Sequence, residues 1–279
     1  MAYNEEYGED VVIGGKPRRS KRKTRAVKVA QELPVVIKEK FIEDIIPKPS
    51  VGLKIEPRGA NQNRMLSALH AGKQIVFGIG VAGSGKSLLA AYYAAELLRA
   101  KRISKIFLVR PNVHAGKSVG MLKGSLSEKL MPFFLQTVAH LEKFLGKGYT
   151  NYCLEKEVIE MCAVEYCRGT SFEDCFIICE EAQGFTVDDF EMMLTRIGQN
   201  AQMCFTGDER QVDLKETTGL SKTIEMFERV KQDRPEYLDT DDMNEFLANL
   251  SITRFTFEDV QRSPMVKALT KLYYYKERQ

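Results

Sequence analysis

The sequence predicts an α/β fold, a three-layer, doubly wound and mostly parallel sheet, and three observations predict it. Short uninterrupted apolar runs recur at residues 74–79, 106–109, 175–179 and 203–206, as strands buried on both faces of a parallel sheet require. Amphipathic helical stretches separate them, notably residues 126–145 and 187–197, and strands alternating with helices imply crossover connections. The 279 residues are 44% apolar and 9% aromatic, enough to fill one sizeable core and to exclude wholesale disorder.

The elements follow in order. Residues 1–50 mix acids with Pro34, Pro47 and Pro49 and show no sustained apolar period, so they are expected to be an arm and linker. Within them, KPRRSKRKTR (residues 16–25) carries seven cations and no acid; without it, 34 Lys and Arg stand against 38 Asp and Glu, turning a formal +3 into −4. Such an arm binds a polyanion, nucleic acid above all, by releasing counterions.

Residues 51–220 are expected to form the core. A short helix at 61–69 precedes the strand at 74–79, which runs into a glycine loop, and from Lys86 the sequence LLAAYYAAELLRA is helical. After Leu220 the character changes: residues 234–242 are acidic and polar, 244–250 read as helix, 252–257 alternate as a strand, and 266–275 close the chain as a helix. This extension, 221–279, is expected to complete the core or to form an oligomer interface; a second nucleotide-type domain of about 150 residues does not fit in it.

Six cysteines are scattered without a C-x-x-C pair, and no apolar run reaches the length of a membrane helix. The expectation is a cytoplasmic protein with reduced, mostly buried thiols, no structural zinc and no membrane contact.

The chemistry starts at GVAGSGKS, residues 80–87, which fits the pattern G-x-x-x-x-G-K-S. Gly80, Gly83 and Gly85 let the backbone, with Ala82 and Ser84, turn its N–H groups toward phosphate oxygens, and the following helix adds the positive end of its dipole. Lys86 supplies a cation to the β and γ phosphates of ATP, and the Ser87 hydroxyl a ligand for Mg²⁺. CFIICEE, residues 175–181, is an apolar strand ending in carboxylates: Glu180 is expected on the magnesium side, and Glu181 as the group that polarises water. TGDERQ, residues 206–211, places Asp208 near the magnesium and Gln211 where a γ phosphate is sensed.

Together these residues resemble the PhoH-like family, whose strand motif is D-E-A-Q where this chain reads EEAQ (180–183). The resemblance extends through RPNVHAG (110–116), TRIG (195–198), TGDERQVDL (206–214) and DVQRSP (259–264), over residues 55 to 275. It implies one RecA-like core related to superfamily 1 helicases, with helicase-like ATPase activity on RNA. It also implies that Gln62, in NQNRML, reads adenine. The chain departs from the family at Glu180, which replaces the usual Asp, at His114, where an acid is usual, and in an acidic insertion over residues 234–249. The nuclease domain of some members has no room here.

Phosphoryl transfer calls for a cation aimed at the transferring group. With one core, that cation must come from the same core, the short extension or a neighbouring subunit, and the expectation is a homo-oligomer, a ring or another, in which Arg262 reaches the adjacent ATP; Arg196 and Arg110 are rivals. Arg110, Asn112 and His114 are also candidates for nucleic-acid phosphates. Three functions are open: an ATPase coupled to RNA or single-stranded nucleic acid; a non-motor module, switched by ATP, that docks on a partner such as an endoribonuclease; and a small-molecule kinase, which Glu181 and Gln211 disfavour.

Overall fold

Six strands, all parallel, form one sheet in the order β3-β2-β4-β5-β1-β6 in a computed structural model that describes residues 47–50, 53–111, 126–209 and 218–276. The chain divides into two units, Met1–Pro47 and Lys48–Gln279, and every element named here belongs to the second. The strands are β1 (Ile75–Gly80), β2 (Lys105–Arg110), β3 (Ile159–Ala163), β4 (Cys175–Cys179), β5 (Ala201–Gly207) and β6 (Leu250–Phe255). The helices are α1 (Ala60–His70), α2 (Lys86–Arg99), α3 (Leu126–Leu145), α4 (Lys147–Glu155), α5 (Val187–Leu194), α6 (Gly219–Gln232), α7 (Asp241–Asn249) and α8 (Pro264–Lys276).

Alternation along each strand divides the core into two clusters, as a pleated sheet must. Val76, Ile106, Leu108, Phe176, Ile178 and Cys204 face one way, against Met65 of α1, the alanine-rich face of α2 and Phe134 and Leu141 of α3. Phe77, Ile79, Ile177, Cys179, Met203 and Phe205 face the other, against Phe190 of α5 and Ile224 and Phe227 of α6. On that second side Phe77 stacks on Phe205 with centroids 4.8 Å apart, and Phe190 closes on Phe205 at 5.2 Å. The doubly wound three-layer sheet read from the sequence is therefore the observed one.

The strand expected at 252–257 begins and ends two residues earlier and lies parallel to β1, Phe77 facing Ile252 and Gly80 facing Phe255. Segments after residue 220 thus supply the edge strand beside the strand that feeds the glycine loop. The helix expected over 187–197 stops at Leu194, because Ile197 bridges to Phe172 and the 195–200 turn feeds β5. β3, α4 and α6 are not among the elements expected from the sequence. β3 is an edge strand buried only at its two ends. In α6 the buried residues Leu220, Thr223, Ile224 and Phe227 do keep helical spacing.

Candidate active site

Because all six strands run the same way, their carboxyl ends share one edge, the place where open parallel sheets gather ligands. A cavity of about 390 Å³ opens there, lined by Ala82, Gly83, Gly85, Lys86 and Ser87 after β1, Glu180 and Glu181 after β4, Asp208 after β5, Gln261 and Arg262 after β6, and Gln136, His140 and Lys143 from α3. Eight residues expected at the site thus converge in one place: Ala82, Gly83, Gly85, Lys86, Ser87, Glu180, Glu181 and Asp208, with Arg262 as the ninth. Gln211, Asn112, His114 and the basic arm at 16–25 lie outside the described residues.

The loop is held closed by what surrounds it. Gly80 has φ +117°, and a Cβ there would stand 2.1 Å from the carbonyl oxygen of Phe255 on β6, so only glycine lets the two strands pair at this point. Gly85 has φ +91°, and its missing Cβ leaves room for Gln62, whose Nε2 would be 2.9 Å away. Ser84 is fully buried and donates to Val81 O at 2.8 Å.

Gln62, which the family resemblance assigns to adenine, lies between α1 and the loop. It is buried, its Nε2 donates to Ser84 O at 2.8 Å and its Oε1 accepts from Arg58 N–H at 2.9 Å. The amide is engaged at both ends, bracing α1 against the loop, and the side chain is absent from the cavity lining. Its neighbour Asn61 donates to Asp259 Oδ2 at 2.8 Å; the same oxygen accepts from Thr256 N at 2.7 Å, and Gln261 N donates to Gly83 O at 3.0 Å. The segment after β6 is in this way tied to both α1 and the loop.

Lys86 is 8% exposed, and its Nζ donates to Gly80 O at 2.6 Å and Val81 O at 2.9 Å. Burial brings its pKa down to about 8, with Asp208, then Glu181 and Asp259, pulling upward. Glu180 is also buried, and burial raises its carboxyl above the usual range; hydrogen bonds from Thr137 and Ser87 and the charge of Arg110 oppose the rise. The longer side chain at this position ends on the Thr137 hydroxyl of α3. Thr206 Oγ1 lies 3.5 Å from Ser87 Oγ.

Glu181 has φ +51°, in the left-handed region of backbone conformation. Arg110 Nη2 pairs with its Oε1 at 3.0 Å, and Gln183 Nε2 donates to its Oε2 at 2.6 Å. Gln183 in turn accepts from Asp208 N at 3.0 Å, so one amide couples the ends of β4 and β5. Arg110 also donates to the carbonyl of Phe133 and lies over the Phe134 ring at 5.9 Å.

The three arginines separate clearly. Arg262 packs against the glycine loop of its own chain, its Cγ 3.2 Å and Nε 3.3 Å from where a Cβ on Gly83 would be. β6 pairs beside β1 and so delivers the segment carrying Arg262 to the loop of its own chain. Arg196 follows α5 at the amino edge of the sheet, its carbonyl accepting from Phe172 N. A strand of five residues spans roughly 16 Å, which removes Arg196 from the cavity of its own chain. Arg110 is committed to Glu181.

Residues that the sequence did not single out are Gln183, which stood unassigned inside EEAQ, and the α3 group Gln136, Thr137, His140 and Lys143. The signal for the α3 group is spacing: Gln136 and His140 are four apart, and Thr137, His140 and Lys143 three apart, on one face of a helix. Burial, then Lys143, takes the His140 pKa down to about 4, so its ring is neutral at physiological pH.

Hard oxygen donors, the Ser87 hydroxyl and the Glu180 carboxylate with the Thr206 hydroxyl beside them, suit Mg²⁺. Among the described residues no three of His, Cys, Asp and Glu converge into an all-protein cage, and Mg²⁺ characteristically takes most of its ligands from phosphates and water.

A parallel sheet with a lysine-bearing glycine loop after β1 and paired acids after β4 is the architecture of a P-loop nucleoside triphosphatase. The family model described as "PhoH-like protein" matches residues 54–274, and the chain belongs to that family. A PhoH-like protein of Bacillus subtilis is 32% identical over 250 residues, covering 89% of this chain and 73% of that protein. Protein PhoH of Escherichia coli is 34% identical over 220 residues, and a PhoH-like protein of Mycobacterium tuberculosis 34% over 224, covering 77% and 80% of this chain. The chain spans only 57% and 58% of these last two. Solved structures with some likeness include the UvsW helicase of bacteriophage T4, with TM-score 0.39, 11% identity and cover of 78% of this chain and 67% of that one. A Sulfolobus solfataricus SWI2/SNF2 ATPase core in complex with dsDNA has TM-score 0.40, 14% identity and cover of 76% and 46%. Likeness at that level bears no weight on function. No helix among the described residues is long and apolar enough to cross a membrane.

Proposed function

We propose that this chain hydrolyses ATP with Mg²⁺, and that turnover is coupled to RNA or another single-stranded nucleic acid. The observation that carries the hydrolysis is the convergence of Lys86, Ser87, Glu180, Glu181, Asp208 and Arg262 on one cavity at the carboxyl edge of the sheet. Backbone N–H groups of the loop and Lys86 hold the phosphates. Ser87 and Glu180 would hold the magnesium ion, which neutralises charge on the β and γ oxygens when bound. Glu181, fixed by Arg110 and Gln183, orients the attacking water and takes its proton. Arg262 balances charge on the transferring group from within the chain, so catalysis does not require a ring. Nucleic-acid coupling is supported by the seven cations of residues 16–25, whose binding to a polyanion releases counterions.

The test is ATP hydrolysis measured with and without single-stranded RNA, with Lys86→Ala as the blank. Stimulation by RNA is the expected outcome. Slow turnover indifferent to RNA favours the accessory module switched by ATP, and phosphate appearing on an added metabolite would overturn both.

A further inference from the structure

Five of the six cysteines are buried, and all six are free thiols. In four of them, Cys153, Cys175, Cys179 and Cys204, burial holds the thiol above its ordinary pKa, Cys175 up to about 12, and such thiols react slowly. Cys162 and Cys167 differ. Cys162 is the penultimate residue of β3 and half-buried, whereas Cys167 ends the single 3-10 turn Val164–Cys167 that follows and is buried. Their sulfurs lie 3.3 Å apart, Cys167 donating its S–H to Cys162, the one sulfur–sulfur hydrogen bond among the described residues. A disulfide needs about 2.05 Å, so closing the bond takes an approach of roughly 1.3 Å between a strand end and the turn behind it.

The donated S–H lowers the Cys162 pKa and raises that of Cys167; burial and the nearby Glu160 and Glu165 oppose the lowering at Cys162. The pair therefore has an asymmetry that suits stepwise oxidation: a half-buried sulfur stabilised as thiolate, and a buried thiol poised behind it.

We propose that Cys162 and Cys167 form an oxidisable dithiol that reacts with hydroperoxides to give an intrachain disulfide. The Cys162 sulfur attacks a peroxide oxygen, the O–O bond breaks, and Cys162 becomes a sulfenic acid as the first water leaves. The Cys167 sulfur then attacks the sulfenic sulfur, the S–S bond forms, the S–O bond breaks, and a second water leaves with the Cys167 proton. Two thiols lose two electrons and two hydrogens, and hydrogen peroxide is reduced to two waters. The disulfide closes beside Val109, the register partner of Cys162 and the residue preceding Arg110.

The test treats the full chain with hydrogen peroxide, blocks remaining thiols by alkylation, and maps the peptides by mass. The expected result is a Cys162–Cys167 peptide link, two hydrogens lighter, formed about tenfold faster than oxidation at any other cysteine and restored by dithiothreitol. In Cys167→Ser, dimedone should trap a sulfenic acid at Cys162; in Cys162→Ser, Cys167 should stay reduced. The native chain decides the matter even if a variant misfolds. Faster oxidation elsewhere, disulfides between chains, or Cys162 passing to sulfinic acid while Cys167 remains free would each overturn the proposal.

Discussion

Arg110 and Glu181 form an ion pair of 3.0 Å between the ends of two adjacent strands, with the arginine side chain 19% and the glutamate 46% exposed. The arginine thereby fixes the carboxylate proposed to act on water, and its charge also favours ionisation of Glu180. Glu181→Gln should lower kcat by about 10² or more with ATP affinity kept. Arg110→Ala should lower kcat by about tenfold. It should also raise the Mg²⁺ concentration for half-maximal rate, because a Glu180 carboxyl without that cation titrates higher and is less often the anion a metal needs. Steady-state kinetics over a magnesium series checks both, and an unchanged magnesium requirement would separate Arg110 from Glu180.

The cis placement of Arg262 has a direct mixing test. Arg262→Ala and Lys86→Ala should each be inactive, and a mixture of the two should remain so, since neither chain holds both groups at one cavity. Recovery of turnover in the mixture would mean that the arginine crosses between subunits after all.

Gln62, bonded to Ser84 O and Arg58 N–H, is expected to act on every nucleotide alike. Replacing it by alanine leaves the buried Ser84 carbonyl without its partner, a cost of about 1–3 kcal/mol. Gln62→Ala should lower the melting temperature and weaken ATP and GTP by the same factor, as nucleotide titrations would show. A selective loss of ATP would restore the adenine-reading role.

Lys86 titrates at about 8 in this structure. Triphosphate favours the charged amine and draws its pKa back up, so the sign is proton uptake on binding, largest where the free lysine is mostly neutral. Affinity should fall as pH rises above about 8. Titration calorimetry in buffers of different ionisation enthalpy reads that uptake, and buffer-independent heats above that pH would contradict it.

The strands buried on both faces were legible because apolar runs without interruption have few other uses, and the glycine loop because each glycine answers a steric demand. The edge strand β3 was not legible: Glu160 within it is partly exposed, so the run is broken by a residue with no packing role. The site was legible where it lies in contiguous motifs, at 80–87 and 180–181. It was not where it depends on distant segments meeting. Nothing local marks Thr137 as the partner of Glu180, Asn61 as the partner of Asp259, or Gln62 as a brace; these depend on α1, α3 and the segment after β6 being folded around the loop. The same folding brings Arg262 to the glycine loop of its own chain.

The pairing of β6 with β1 has a consequence for the order in which the molecule can be made. The glycine loop is translated early, yet the carbonyl that presses on Gly80 belongs to Phe255, and its ties to Gln261 and Arg262 come later still. A nascent chain emerging from the ribosome carries the complete nucleotide motif long before it holds the strand that shapes it. Competence for ATP should therefore appear abruptly, near the close of this segment's synthesis, and not gradually along it.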